Sequence, residues 1–269
     1  MDGYRQTAVH LLIRYLGISI RGQLQYKASF IFQSVGHLLI TGIEFLGIWA
    51  LFDRFGALPH WSLQEVAFFY GTVNIQFAIA DALGRGFDVF AGFVKTGEFD
   101  RMLLRPRSVV IQLLGYEFTM RRVGRLLQGL AIFLWAGVSL GISWNLVLVS
   151  VWLFAVAGAV ALFVGLVIIQ ATIAFWTVES IEIMNTLTYG GVQTAQYPLS
   201  IYRKAFQRFF TFVVPLGAVT YFPLSMIIGK TGIASIWFQA LAPALGFFFL
   251  ISALFFWRLG VRHYASTGS

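Results

Sequence analysis

The chain has 269 residues, of which 58% are hydrophobic and only 11% charged, and it carries a formal net charge of +8 with no cysteine. A soluble domain holds about 25% charged residues, so this balance, spread over several long apolar runs, excludes an ordinary water-soluble fold and predicts an all-α integral membrane protein. The missing cysteine excludes disulfides, thiolate metal sites and cysteine nucleophiles, and because the cations flank apolar runs, a membrane surface explains them better than nucleic acid does.

In chain order, residues 1–27 come first. Within "YRQTAVHLLIRYLGISIRGQLQYK", Val9, Leu12, Ile13, Leu16 and Ile20 recur at spacings of three and four, and Arg14 and Arg21 sit where headgroups would lie. This pattern predicts an amphipathic helix on the membrane surface; the alternative is a plain extension of the first span. That span is Ala28–Phe52. No small-residue cleavage site follows it, so it is expected to stay in the mature protein. A polar loop with Asp53, Arg54, Pro59 and His60 leads to a second span, Leu63–Ala82. A charged segment, residues 83–122, separates it from a third, Val123–Leu140. "GISWN" then makes a tight turn into a long fourth, Leu146–Trp176, and the last clear span is Ile233–Trp257. Between them, Thr177–Lys230 is ambiguous. Ile181–Tyr197 is polar for a span, whereas Phe209–Ile228 is more apolar but holds Pro215 and Pro223. Either choice gives six transmembrane helices.

Orientation follows the Lys and Arg residues near span ends. Arg5, Arg14, Arg21 and Lys27, then Arg85, Lys95, Arg101, Arg105, Arg107, Arg121, Arg122 and Arg125, then Arg258 and Arg262 make fourteen of the 19 cations. Six spans place all three groups on one side, which makes that side the cytoplasm. The tryptophans Trp61, Trp144, Trp176 and Trp257 fall near span ends, as interfacial anchors do.

The middle segment is the one sizeable stretch outside spans and short loops, and it reads "FVKTGEFDRMLLRPR" from Phe93 to Arg107. It is too poor in apolar residues for a core of its own. Lys95 to Phe99 with Met102, Leu103 and Leu104 gives a short helix with one apolar side, and Glu98, Arg101 and Arg105 share a neighbouring face. Gly84, Gly86, Gly92 and Gly97 are expected to break longer helices before it, and the proline of Arg105-Pro106-Arg107 to stop it, because a residue preceding proline avoids helical geometry. Mixed charge signs fit a docking element better than ballast for the positive-inside rule.

The run "GRGFDVFAGFVKTGEFDRMLLRPRSVVIQLLGYEFTMRRVGRLLQG", Gly84–Gly129, resembles the permease subunits of type-2 class ABC exporters, and more narrowly the branch that includes viologen-exporter permeases. The elements that carry the likeness are F-D at Phe87–Asp88, T-G-E-F-D at Thr96–Asp100 and L-L-R-P-R at Leu103–Arg107. "YPLSIY" at Tyr197–Tyr202 and "VPLGAVTYFP" at Val214–Pro223 add to it. The likeness covers most of the chain from Phe30 to Trp257. It implies that Thr96–Leu104 is a coupling helix seated in a groove of a separate ATPase subunit, with Thr96, Gly97, Glu98, Phe99, Asp100, Arg101 and Leu104 in the docking element. It also makes the N-terminal helix the family's interface helix and folds residues 198–230 into an outer re-entrant helical hairpin before the last span. The fifth span is then Ile181–Tyr197, although the charge count alone prefers the other choice. The chain has no G-x-x-x-x-G-K-[ST] phosphate loop, so ATP and Mg²⁺ belong to a partner pair of ABC ATPases, and a second permease chain, identical or related, is expected beside this one. The resemblance further implies a multi-pass protein of the bacterial inner membrane with both termini in the cytoplasm.

Candidate residues for a substrate path are the polar ones inside spans, where an ionisable group costs about 2.5–3.5 kcal/mol on insertion scales. Glu44 lies mid-span seven residues from His37. Asn74, Gln76 and Asp81 polarise the second span, where interhelical hydrogen bonding is the plainer role; Asn185 and Gln193 polarise the fifth, where they are expected to line the transport path or a permease–permease interface. Glu179 and Glu182 sit at a charged turn. No metal-ligand spacing and no nucleophile–base constellation emerges, so neither an enzyme nor a metal protein is expected. The expected function is outward transport of a hydrophobic or amphipathic substrate, as in multidrug efflux. The alternative is a proton-coupled secondary transporter with Glu44 as the carrier and no ATPase.

Overall fold

The computed structural model describes residues 8–56, 58, 60–117, 122–177, 181–230 and 234–265. The side chains of Val9, Leu12, Ile13, Leu16, Glu182 and Asn185, and all of Arg5, Arg121 and Glu179, lie outside the described set. Among the described residues the long elements are all helices, with an isolated β-bridge between Leu58 and Trp61. α1 (Ala8–Leu24) is followed by α2 (Lys27–Phe55), α3 (Leu63–Asp88), α4 (Phe90–Lys95), α5 (Glu98–Leu103) and α6 (Val109–Leu114). Then come α7 (Val123–Ser139), α8 (Leu146–Ile173), α9 (Ile181–Ala195), α10 (Lys204–Phe212), α11 (Phe222–Ile227), α12 (Ile236–Leu241) and α13 (Ala244–His263). Four stretches among them, Lys27–Arg54, Leu63–Lys95, Leu146–Ile173 and Ala244–His263, are long and apolar enough to cross a membrane. α7, with 17 residues, and α9, with 15, are shorter, about 26 and 22 Å by the rise of 1.5 Å per residue.

Local sequence sets where the two central helices begin. Ser62 accepts from the Glu65 backbone N–H at 3.3 Å while the Ser62 N–H donates to the Glu65 carboxylate at 2.8 Å, a reciprocal cap that starts α3. Asn145 Oδ1 caps α8 by accepting from the Leu148 N–H at 2.9 Å. These two helices form the core: 83% of the α3 apolar window is buried, against 17% for α2 and 22% for α13, which leave their outer faces to lipid. Small residues let the backbones approach. A Cβ on Gly71 of α3 would lie 2.6 Å from the Phe133 nitrogen of α7, and Gly246 of α13 leans directly on the Gly158 carbonyl of α8.

α3, α8 and α13 run toward a common end, where Phe87 meets Trp257 at 5.4 Å and Phe90 meets Phe175 at 5.1 Å. α2 and α7 run the other way side by side, since Gly124 packs on Ser34 and Gln128 Nε2 donates to the Thr41 carbonyl at 2.8 Å. α9 also runs away from that end: Tyr189 touches Phe77, and the residues just after the helix reach Trp61, whose Nε1 donates to Ser200 Oγ at 2.9 Å. α10 and the stretch from the π-turn Gly217–Tyr221 through α11 meet at a bend of 85°. The chain enters this pair beside Trp61 and leaves it where Lys230 Nζ donates to the His60 carbonyl at 2.6 Å and pairs with Glu65 at 3.0 Å. Both ends of the bent pair therefore lie at the end opposite the charged segment.

Several sequence expectations are corrected. The second span does not stop at Ala82. α3 passes through Gly84 and Gly86 to Asp88, and after a turn at Val89 the chain continues helical to Lys95. Gly86 is there for packing rather than to break a helix, because any Cβ would collide with the Leu113 backbone of α6. The last span begins at Ala244 rather than Ile233, which lies outside the described residues, and it extends beyond Trp257 to His263. Pro243 caps it, since its fixed φ suits a helix start. α1 is not a simple extension of the first span, for the backbone breaks at Tyr26 (φ −103°, ψ 60°). Trp61 and Trp257, only 4% and 3% exposed, are packing residues, whereas Trp144 and Trp176 stay exposed at helix ends.

Candidate coupling surface and intramembrane polar cluster

The segment from Phe90 to Leu114 folds as three short helices laid under the ends of the long ones. Thr96 closes α4, with its Oγ1 donating to the Gly92 carbonyl at 3.0 Å. Gly97 then adopts φ +71°, ψ 6°, a left-handed geometry that glycine accepts without steric penalty, and this reverses the chain into α5. The single apolar-sided helix expected from Lys95 onward is thus split at Gly97. Its buried side is Phe99 and Met102, three apart, while Leu103 and Leu104 point to solvent; Leu104 is 85% exposed.

Phe99 is fully buried and sits in an aromatic knot. Its ring lies 5.0 Å from Phe90, 5.4 Å from Phe175, 6.4 Å from Trp257 and 4.8 Å from Tyr264. Those partners come from α4 next to the end of α3, from the end of α8 and from the end of α13, so one side chain joins the docking candidate to three membrane helices. Offset and edge-on aromatic pairs of this kind each add about 0.5–1.5 kcal/mol beyond area burial. Asp100 is half-buried beside Tyr264. Burial, and after it the Asp100 carboxylate, holds the Tyr264 hydroxyl above its ordinary pKa.

The Arg105-Pro106-Arg107 turn is fastened by Gln112. Its Nε2 donates to the carbonyls of Met102 (3.1 Å) and Arg107 (3.3 Å), and Arg105 donates to its Oε1 at 3.4 Å. Nothing in the run "SVVIQLLG" marks Gln112 except its polarity among apolar neighbours. Above the turn, Arg85 pairs with Asp88 at 2.6 Å, and Arg122 pairs with Asp81. The N-terminal helix closes the side: Gly115 leaves room for the Tyr15 ring of α1, which a Cβ there would meet at 2.7 Å. The face left open to solvent carries Glu98, Arg101 and Leu104, with Arg105 and Arg107 beside them.

Among the described residues, the candidate path residues do not converge on one cavity. Glu44 is exposed on α2, and the Tyr70 hydroxyl comes within 3.5 Å of its carboxylate while donating to the Thr41 carbonyl at 2.8 Å. Asn74, fully buried, donates to the Tyr70 carbonyl of its own helix at 2.8 Å. Gln128 reaches the same hydroxyl at 3.5 Å, and Arg125, one turn earlier on α7, lies over the Phe77 ring, 5.1 Å from its centroid. Glu44 and Asn74 are thus joined through Tyr70, in a cluster that also holds Gln128. Gln76, fully buried, instead bonds the Ala155 carbonyl of α8 at 3.3 Å, and Gln193 is exposed on α9. In the sequence Arg125 stands only as one of the cations near a span end, and Tyr70 and Gln128 carry no signal beyond being polar residues inside an apolar helix.

Residues 38–268 match the model of a family described as "ABC-2 family transporter protein". Neither a curated protein nor a solved structure matches the chain. The family match takes in every long apolar helix except the first turns of α2, together with the whole three-helix segment beneath them. The chain therefore belongs to the ABC-2 transporter family, as a multi-pass membrane permease subunit of an ABC transporter.

Proposed function

We propose that this permease is the membrane half of an ATP-driven exporter, and that α5 with its flanking turns is the element through which an ABC ATPase moves it. The observation that carries the reading is the two-sidedness of α5. Phe99 locks it to α4, just beyond α3, and to the ends of α8 and α13, with Met102 buried beside it, while Glu98, Arg101 and Leu104 stand exposed on the other side. A force applied to that exposed patch passes into three helices at once, as a lever requires. Membership of the ABC-2 family supports ATPase subunits, rather than a proton carried by Glu44, as the source of the power stroke.

In this reading α2, α3, α7, α8, α9 and α13 are six crossings. The bent pair α10–α11 is a re-entrant hairpin on the outer side, a reading supported by the return of both its ends to the Trp61 end. The charged end is cytoplasmic, in accord with its cations. Two permease chains enclose the path, and the substrate is hydrophobic or amphipathic. The cycle runs on the difference in ATPase and substrate affinity between inward- and outward-open states.

The test uses the permease reconstituted with its ABC ATPase. Glu98→Lys combined with Arg101→Glu alters two exposed side chains at unchanged net charge. It leaves half-buried Asp100 in place, so the fold is undisturbed. Loss of two polar interface contacts is expected to weaken the complex about 10-fold or more and to abolish stimulation of ATP hydrolysis while membrane insertion stays normal. Unchanged stimulation in this variant overturns the docking assignment.

A further inference from the structure

A groove of about 510 Å³ opens between the start of α6 and the last turns of α13, lined by Ser108, Val110, Leu254, Trp257, Arg258 and Arg262 among others. Its composition is graded along α13. Leu254 and Trp257 form the apolar floor, and Arg258 and Arg262, one helical turn apart, form the rim. Ser108 faces them from the cap of α6, with exposed Arg107 just before it, and among the described residues no carboxylate lines the groove. Arg258 is steadied by the Phe255 ring, 5.7 Å from its guanidinium carbon. Immediately before the groove, α13 exposes Phe248, Ile251 and Phe255, an apolar face suited to lipid. The groove thus joins an exposed apolar helix face to a pair of cations at the end of the same helix.

We propose that this groove is a binding site for an anionic phospholipid, whose phosphate is held by Arg258 and Arg262 and whose acyl chains descend along Leu254 and the exposed face of α13. The charge and the polarity gradient choose this occupant. A soluble anion would use the arginines but leave the apolar floor empty, and a zwitterionic lipid would fill the floor but bring a quaternary ammonium beside two clustered cations, so that its net charge offsets neither. Guanidinium forks pair well with phosphate oxygens, and basic pockets at helix ends on the cytoplasmic side suit anionic headgroups. The seat also has a mechanical consequence. Trp257 forms its floor and belongs to the knot around Phe99, so an occupied groove braces the junction between α13 and the coupling surface. The site does not depend on whether α5 docks an ATPase.

Native mass spectrometry of the purified full-length permease, exchanged against phosphatidylglycerol or phosphatidylcholine in mixed micelles, tests the site. The wild type is expected to retain phosphatidylglycerol in clear preference. Arg258→Gln should weaken that retention about 5-fold, and Arg258→Gln with Arg262→Gln about 30-fold. The same loss of charge at the opposite end, Arg203→Gln with Arg208→Gln, should leave the preference intact. Val110→Trp, which fills the groove without altering charge, should also displace the lipid, and inorganic phosphate at matched concentration should not compete. Retained preference in the Arg258/Arg262 double variant, equal loss in the Arg203/Arg208 control, undiminished binding in Val110→Trp, or displacement by phosphate alone would each overturn the proposal.

Discussion

Replacing Phe99 and replacing Leu104, five residues later on the same short element, should give opposite phenotypes. Phe99 has no exposed surface and four aromatic neighbours within 6.4 Å. Phe99→Ala removes a ring from a filled knot, and a buried Phe→Ala change costs about 3–5 kcal/mol from lost transfer energy and residual cavity. Because the knot joins α4, α8 and α13, the loss should appear in global stability as well as in coupling. Leu104 is 85% exposed, so Leu104→Ala should shift stability by less than about 0.5 kcal/mol. If Leu104 is the apolar anchor that enters the ATPase groove, the truncation weakens the complex by about 10-fold, the effect of about 1.4 kcal/mol. Stability is read from detergent-induced unfolding followed by far-ultraviolet circular dichroism, and coupling from ATP hydrolysis by the reconstituted complex. Phe99→Leu, which keeps most of the volume, should restore much of the stability. A wild-type unfolding midpoint for Phe99→Ala would refute the knot as an anchor. A large drop in stability for Leu104→Ala, or normal coupling, would refute the division of α5 into a buried and a docking side.

Two glycines of the same region should respond with opposite signs. Gly86→Ala drives a Cβ into the Leu113 backbone, where no flexible side chain can yield, and should destabilise the fold by about 1–3 kcal/mol or more, read as a lowered unfolding midpoint. Gly92→Ala has open space within 4 Å and lies in α4, so it should be neutral or stabilise by up to about 1 kcal/mol. For topology, the absence of native cysteine permits single labels. Cysteines replacing Asp53 and Arg203 should react with an impermeant maleimide from the same side of the membrane, and one replacing Lys95 only from the other. Labelling of the Arg203 position from the Lys95 side would break the re-entrant reading of α10–α11.

The amino-acid sequence by itself determined what depends on short stretches of chain. The membrane class follows from apolar runs matched to bilayer thickness, the starts of α3 and α8 from the caps at Ser62 and Asn145, and the clustering of cations at one end from where they fall between spans. The motif at Thr96–Leu104 stood out for the same reason, since its charges and apolar residues are neighbours in sequence. Tertiary structure alone decided which side of that motif is buried. Phe99 and Leu104 are equally apolar in the sequence, and only the gathering of Phe90, Phe175, Trp257 and Tyr264, residues up to about 170 positions apart, turns one inward and leaves the other in solvent. The glycines misled for a related reason. A glycine that breaks a helix and one that admits a neighbouring backbone look alike along the chain, and the difference at Gly86 is the presence of Leu113 against it. Likewise the bend after Phe212 could be read from its prolines, but that both arms return to Trp61 and Glu65 rests on Ser200 and Lys230 finding partners more than 130 residues away. Periodicity and capping are encoded within a few residues, whereas burial is a property of whatever distant surface arrives.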